Sequence, residues 1–261
     1  VDRRPDIAWR DLVPMRTRDT ARELVLPLPW LCAALLAAFN DWTLAAVAAT
    51  FVLFMTGLRV THGAFHRALG LRGRGNDAVM FVLSVLLGGA MHAIECTHRH
   101  HHRACLREDD IEGRIAHLGF WRAFLHSPLY PLHIHRFALR HGSRRQRRWV
   151  RAELAAVGAA QLLVWGVFDS AALQTIALAL VFANLSAAMV GIWAVHRACD
   201  AAPFDARSSR SRLLDACVAG MFHHLEHHLY PAVPTRRLAE LARRFDAARR
   251  VPVRTVLGAM V

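Results

Sequence analysis

No arginine occurs between Arg22 and Arg59, and none between Arg151 and Arg197. Elsewhere the chain is dense with them. Its 33 basic side chains include no lysine, and against 20 carboxylates they give a formal charge of +13 over 261 residues. The two arginine-free intervals are filled with Leu, Ala, Val, Phe and Trp, and 54% of the chain is hydrophobic. A soluble protein this basic would point to nucleic acid. Basic and apolar residues segregated in this way are instead what bilayer spans and their flanks require. The reading is an integral membrane protein with no nucleic-acid partner. Five cysteines (Cys32, Cys96, Cys105, Cys199, Cys217) form no CxxC pair, which argues against a disulfide framework or a thiolate metal site and for a reducing setting. The first twenty residues are polar and arginine-rich and carry no signal-peptide pattern.

Five apolar runs set the expected architecture. Leu24 to Phe39 and Leu44 to Leu58 flank the turn "NDWT" and predict a transmembrane hairpin with a short tip. Ala78 to Ile94 contains Gly88, Gly89 and His92. Leu154 to Val167 and Ala171 to Val195 meet at "FDS" and predict a second hairpin. Neither tip carries arginine, so the positive-inside rule puts both termini and the long loops in the cytoplasm, with a bacterial-type inner membrane as the setting. Residues 120–149, rich in aromatics and arginine and broken by Pro128 and Pro131, predict segments lying on the membrane surface. The stretch after Pro234 predicts an amphipathic cytosolic helix packed on the rest. The whole reads as one all-α unit, with a core over about 24–234 and a C-terminal helix and tail over 235–261.

Histidine makes up only 17 of the 261 residues, yet it is concentrated in three places. "HGAFH" places His62 and His66 four apart. His98, His101 and His102 form HxxHH, and His224, His227 and His228 repeat that pattern in "HHLEHHLYP". Positions i, i+3 and i+4 share a helix face, so each box presents convergent imidazoles. Two spans return the first box to the cytoplasmic side, and two later spans return the third. If the run before the second box crossed the bilayer, that box would face the wrong way. Ala78 to Ile94 is therefore expected to be interfacial or re-entrant.

These residues resemble the membrane-bound fatty acid desaturase and hydroxylase superfamily, through three histidine boxes in order, the acidic "REDDIEG" after the second, and "HHLEHHLYP" late in the chain. The resemblance implies two transmembrane hairpins under a cytosolic histidine-rich cap, holding two iron ions. It implies as ligands His62, His66, His98, His101, His102, His224, His227 and His228, with His196 as a ninth at the end of the last span. It implies an O2-dependent di-iron desaturase acting on a fatty acyl or similar lipophilic chain. The rival within the superfamily is a hydroxylase or ketolase of a lipid or carotenoid. Two departures from the pattern stand out: Gly63 where many relatives have aspartate, and Ile192 where some have an asparagine that supports the site. No haem-binding HPGG motif or ferredoxin-like cysteine set occurs, so a separate ferredoxin-, rubredoxin- or cytochrome-like protein must supply electrons.

Imidazole suits iron, and carboxylates commonly orient ligating histidines through the other ring nitrogen. Asp109, Asp110, Glu112, Asp200 and Glu226 are the candidates for that role. His100 and His223 lie off the shared faces and are expected to be non-ligands. His92 is expected to be buried and hydrogen-bonded, and His117, His126, His133, His135 and His141 to be solvated or at lipid headgroups. Asn184 suits either a substrate channel or a helix-to-helix hydrogen bond. Runs such as "SRRQRRW" read as topology determinants and anionic-lipid contacts, or as a face for an acidic electron donor. Readings of another class are a zinc-binding membrane hydrolase and a non-catalytic scaffold. The first is opposed by the absence of HExxH and the excess of histidines over a four-coordinate site. The second leaves the helically spaced boxes unexplained.

Overall fold

The computed structural model describes residues 7–199, 206–248 and 253–258. Its described elements are helical apart from one isolated parallel bridge, Ser208 to Thr255. The first apolar run is preceded by α1 (Thr17–Val25), and after a break at Leu26–Pro27 continues as α2 (Leu28–Phe39). Proline is tolerated in a first turn because its missing N–H would have no intrahelical partner there. Together these helices give a 23-residue candidate span, Thr17–Phe39, longer than the run alone suggests.

A turn at Asn40–Trp42, with Asp41 at φ 60°, reverses the chain into α3 (Thr43–Phe65). The pair packs through Ala34, Ala37, Ala38, Ala46 and Ala49, small residues that let two helices approach closely. At 23 residues α3 is about 34 Å long, enough to cross a bilayer.

The third run is broken as expected. α4 (Gly73–Leu87) and α5 (Met91–Ala104) meet at 112°. Gly88 caps α4 at φ +78°, a conformation that side-chain-bearing residues rarely adopt. The groups freed at the bend are satisfied internally: the Asn184 amide donates to the Leu87 carbonyl at 2.7 Å, and the Met91 N–H donates to Ser84 Oγ at 2.9 Å. Asn184 is thus a bond between helices. Such a bend is that of a broken span or a re-entrant segment, and α5 carries the second histidine box toward the other two.

α6 (Phe120–His126) and α7 (Tyr130–His141) carry the exposed apolar residues Phe120, Trp121, Phe124, Leu125, Leu129 and Leu132 on or beside them, as interfacial segments do. The fourth run is the second half of a longer helix, α8 (Arg144–Gly166), which starts in the basic segment with a Ser143–Gln146 capping box. Its arginine-rich first half leaves α8 outside the helices that are long and apolar enough to span. α9 (Ala171–Ala188) instead runs through a π-helical turn, Met189–Trp193, into α10 (Ala194–His196), and this 26-residue unit is a third span. The protein is an all-α integral membrane protein with three such helices, or four if the bent pair crosses.

α11 (Arg212–Cys217), α12 (His224–Leu229) and α13 (Thr235–Ala247) form the cap. Leu238, Leu241 and Phe245 of α13 pack on Leu225, Leu229 and Tyr230, so the amphipathic tail helix buries its apolar face against the third box. Ion pairs fasten the cap to the N-terminal segment: Arg244 to Asp11 at 2.7 Å, and Arg236 to Asp19. The Arg59–Glu23 pair at 2.6 Å ties α3 to α1, while Arg59 also donates to the Ala219 carbonyl ahead of α12.

Candidate metal centre

All three boxes and His196 converge. His62 sits in the last turn of α3 and His66 caps it; α5 supplies His98, His101 and His102; α10 ends at His196; α12 supplies His224, His227 and His228. Their ring nitrogens form two groups, His62–His66–His98–His227 and His101–His196–His224–His228, each with candidate donor atoms within 4.8 Å of one another. His102 lies between them, with Nε2 3.1 Å from His98 Nε2 and 2.9 Å from His227 Nε2, and its ring stacked on His228. Other Nε2 pairs close at 3.1 Å (His62–His98 and His101–His196) and 2.9 Å (His196–His224).

This clustering is able to hold metal ions. His98 Nδ1 donates to Glu112 at 3.2 Å and His101 Nδ1 donates to Asp110 at 2.7 Å. A neutral imidazole has one N–H, so the Nε2 atoms of both rings present lone pairs to their neighbours. His66 Nε2 is buried with no hydrogen-bond partner among the described residues. Burial holds His224, His227 and His228 well below the usual histidine range, so the cap contributes neutral donors. Convergent neutral imidazoles with carboxylates behind them fit two metal ions, and the donor chemistry suits iron.

Of the five carboxylates considered, Asp110 and Glu112 reach the histidines. Burial opposes ionisation of Asp110, but hydrogen bonds from His101 and from backbone N–H groups, Leu106 among them at 2.8 Å, hold its carboxyl below the usual range. Gly113 makes room for it: a Cβ there would lie 2.2 Å from Asp110 Oδ2. Glu112 is buried too, and desolvation pushes it up to about 7 against the opposing pull of His101 and of Thr97 Oγ1, which donates at 2.6 Å. Asp109 is exposed and pairs with His100, while Glu226 accepts from Ser208 and Arg210. Asp200 lies outside the described residues.

The remaining histidines separate as follows. His100 and His223 stand outside both groups, His223 pairing with Asp215 at 3.2 Å. His92 is buried, donates to Glu153 at 2.6 Å and stacks on Trp149. His117, His126, His133 and His141 are exposed. His135 corrects the expectation of a solvated side chain: it is half-buried, its Nε2 accepts the Ala90 N–H at 3.1 Å, and it thereby holds the start of α5. Cys105 also departs from expectation, with Sγ 3.8 Å from His101 Nε2 and grouped with His101 and Asp110. Gly63 packs against Leu69, whose Cδ2 would be 2.7 Å from a Cβ, so a larger residue at this point of the first box requires Leu69 to shift. Ile192 is buried inside the π turn that delivers His196. π turns are rare and often occur at functional sites, and no local composition announces this one.

An apolar cavity of about 110 Å³ abuts the histidines. His62, His98, His224 and Glu112 form its inner end, and Phe51, Phe54, Met55 and Leu58 of α3 face Ala183, Ala187 and Val190 along its walls. From His62 to Phe51 is eleven residues, roughly 16 Å along α3. Because Phe51 is 40% exposed, the outer end opens on the apolar flank of the helices.

No curated protein matches the chain. The family model described as fatty acid desaturase matches residues 40–255, which takes in all three boxes, His196 and the acidic stretch between. With most of its length matched and its histidines gathered into two metal-competent groups, the chain belongs to the fatty acid desaturase family of non-haem di-iron oxidoreductases.

Proposed function

We propose that the protein is an O2-dependent desaturase that introduces a double bond into a fatty acyl or similar lipophilic chain. The observation that carries this reading is the apolar cavity ending on His62, His98 and His224: it brings a hydrocarbon to the histidines and little else. His62, His66, His98, His101, His102, His196, His224, His227 and His228 would hold two iron ions, which when bound would supply dioxygen activation and hydrogen abstraction from carbon.

The chain's own residues do the rest. Asp110 and Glu112 fix the tautomers and ring orientations of His101 and His98. Phe51, Phe54, Met55, Leu58 and Phe65 exclude water and orient the chain in the cavity. His102, between the groups, keeps them at a common spacing. The histidines and both termini face the cytoplasm, where a separate electron-transfer protein delivers reducing equivalents.

Desaturation and hydroxylation share this site and part only after the first hydrogen leaves. Product analysis with unlabelled and chain-deuterated acyl substrate separates them. An alkene lacking two deuterium atoms supports the proposal, whereas an alcohol carrying oxygen from labelled O2 would replace it with the hydroxylase reading.

A further inference from the structure

Beside the histidine face of α5 lies a second kind of surface. Glu95, Arg99 and Arg103, at successive i+4 positions, line a polar cleft of about 620 Å³ whose far wall is Arg145 and Gln146 at the start of α8. It adjoins a smaller cleft of about 230 Å³ along α7, which contains Arg136 and Arg140, and the two share Phe137 and His141. Together they hold seven arginines and two carboxylates. Both carboxylates are already engaged, Glu95 by Arg67 at 3.4 Å and Arg99 at 3.8 Å, and Asp109 by His100. Among the described residues Arg103, Arg114, Arg136 and Arg140 pair with no carboxylate, and all four are exposed.

We infer that this double cleft is the docking face for an acidic electron-donor protein. The inference rests on the oxygenase reading above. The surface is too broad for one phosphate, spanning parts of three helices. It is also separate from the substrate cavity, with which it shares no lining residue. What it does adjoin is α5, whose histidines lie about one helix thickness away, on the order of 10 Å. A one-electron carrier seated there lies behind the second histidine box without entering the cavity. Unpaired surface arginines attract an acidic partner and raise its rate of encounter. Two such transfers close the reaction: a saturated –CH2–CH2– unit, one O2, two electrons and two protons give –CH=CH– and two water molecules.

The test uses full-length, iron-loaded protein in phosphatidylcholine nanodiscs and a small acidic [2Fe–2S] ferredoxin, reduced beforehand, as probe. The rate at which the protein oxidises the ferredoxin without oxygen is divided by the rate at which dithionite reduces the same protein. The double variant Arg103→Glu/Arg140→Glu should lower that ratio by about tenfold or more at low salt, and the difference should shrink as salt screens it. Arg243→Glu, on exposed α13, should leave the ratio unchanged. A double variant that behaves like Arg243→Glu would overturn the inference. So would a wild-type protein that dithionite reduces but ferredoxin does not, or a double variant whose only change is weaker retention of anionic lipid. If dithionite reduces no iron in the wild type, the oxygenase reading itself fails, and the inference with it.

Discussion

His98 and His101 stand one turn apart on α5, and each turns Nδ1 to a carboxylate from the loop that follows. The two carboxylates are nonetheless held in different ways. Asp110 is close to its histidine, 2.7 Å, receives backbone N–H groups and stays ionised. Glu112 is longer, 3.2 Å, takes a hydroxyl from Thr97, is pushed by burial up to about 7, and borders the apolar cavity. One histidine group is therefore braced by a fixed charge that does not line the cavity, although its His224 does. The other is supported by a carboxyl whose charge the dry surroundings oppose, on the side where the hydrocarbon would lie. The difference predicts that Asp110 weighs more in metal retention than Glu112 does.

The largest effect should come from the ligands of either group. His101→Ala and His227→Ala are each expected to abolish activity and to lose metal, one from each group. Metal analysis that finds full loading in either variant would break the symmetry of the two groups. Next should come the carboxylates. Asp110→Asn exchanges a fixed anion for an amide that can leave His101 in the wrong tautomer, and should weaken metal retention by about 10- to 100-fold in chelator competition. Glu112→Gln removes a charge that burial already opposes and should cost less. Equal losses would show that the contrast in burial and charge is unimportant.

A smaller effect is expected from the cavity wall. Ala187→Phe should leave iron content intact and lower kcat/KM for a long acyl chain by about tenfold, with less effect on a short one. An unchanged chain-length profile would remove the cavity from the account. The mildest effect concerns the cap. The Arg244 guanidinium, by hydrogen bonding, holds the Asp11 carboxyl below its ordinary value of 3.8. A carboxyl depressed on folding contributes stability that is fully present above its unfolded value and is lost as pH falls through the folded one. Protection of the α13 amides, with the intrinsic exchange rate divided out, should therefore be steady above pH 4 and fall below about 3.8. Asp11→Asn should flatten that acid dependence, and a variant that retains it would exclude the pair as its source.

The sequence disclosed the centre better than its supports. Boxes at i, i+3 and i+4 define a helix face whatever the tertiary fold, so eight histidines could be grouped from spacing alone. The α4–α5 bend was legible too, because Gly88 and Gly89 interrupt an apolar run that topology required not to cross. The choice among five carboxylates was not legible: Asp109 and Asp110 are neighbours in sequence, and only the loop's path turns one inward. The π turn at Met189–Trp193 depends on packing against Leu118 and neighbours, with Trp193 Nε1 donating to the Leu118 carbonyl at 2.9 Å, and leaves no local pattern. His135 was misread because "HIH" alternates on a helix, and burial of one imidazole is decided by the neighbouring α5. α8 was legible only in its apolar half, since its arginine-rich first turns belong to the same helix.

The most direct test of the central claim is the number and identity of metal ions per chain in detergent-purified protein expressed with ample iron. The account predicts close to two irons per chain, falling when His101 or His227 becomes alanine. One zinc and no iron, under conditions that load a relative of the same family, would contradict it.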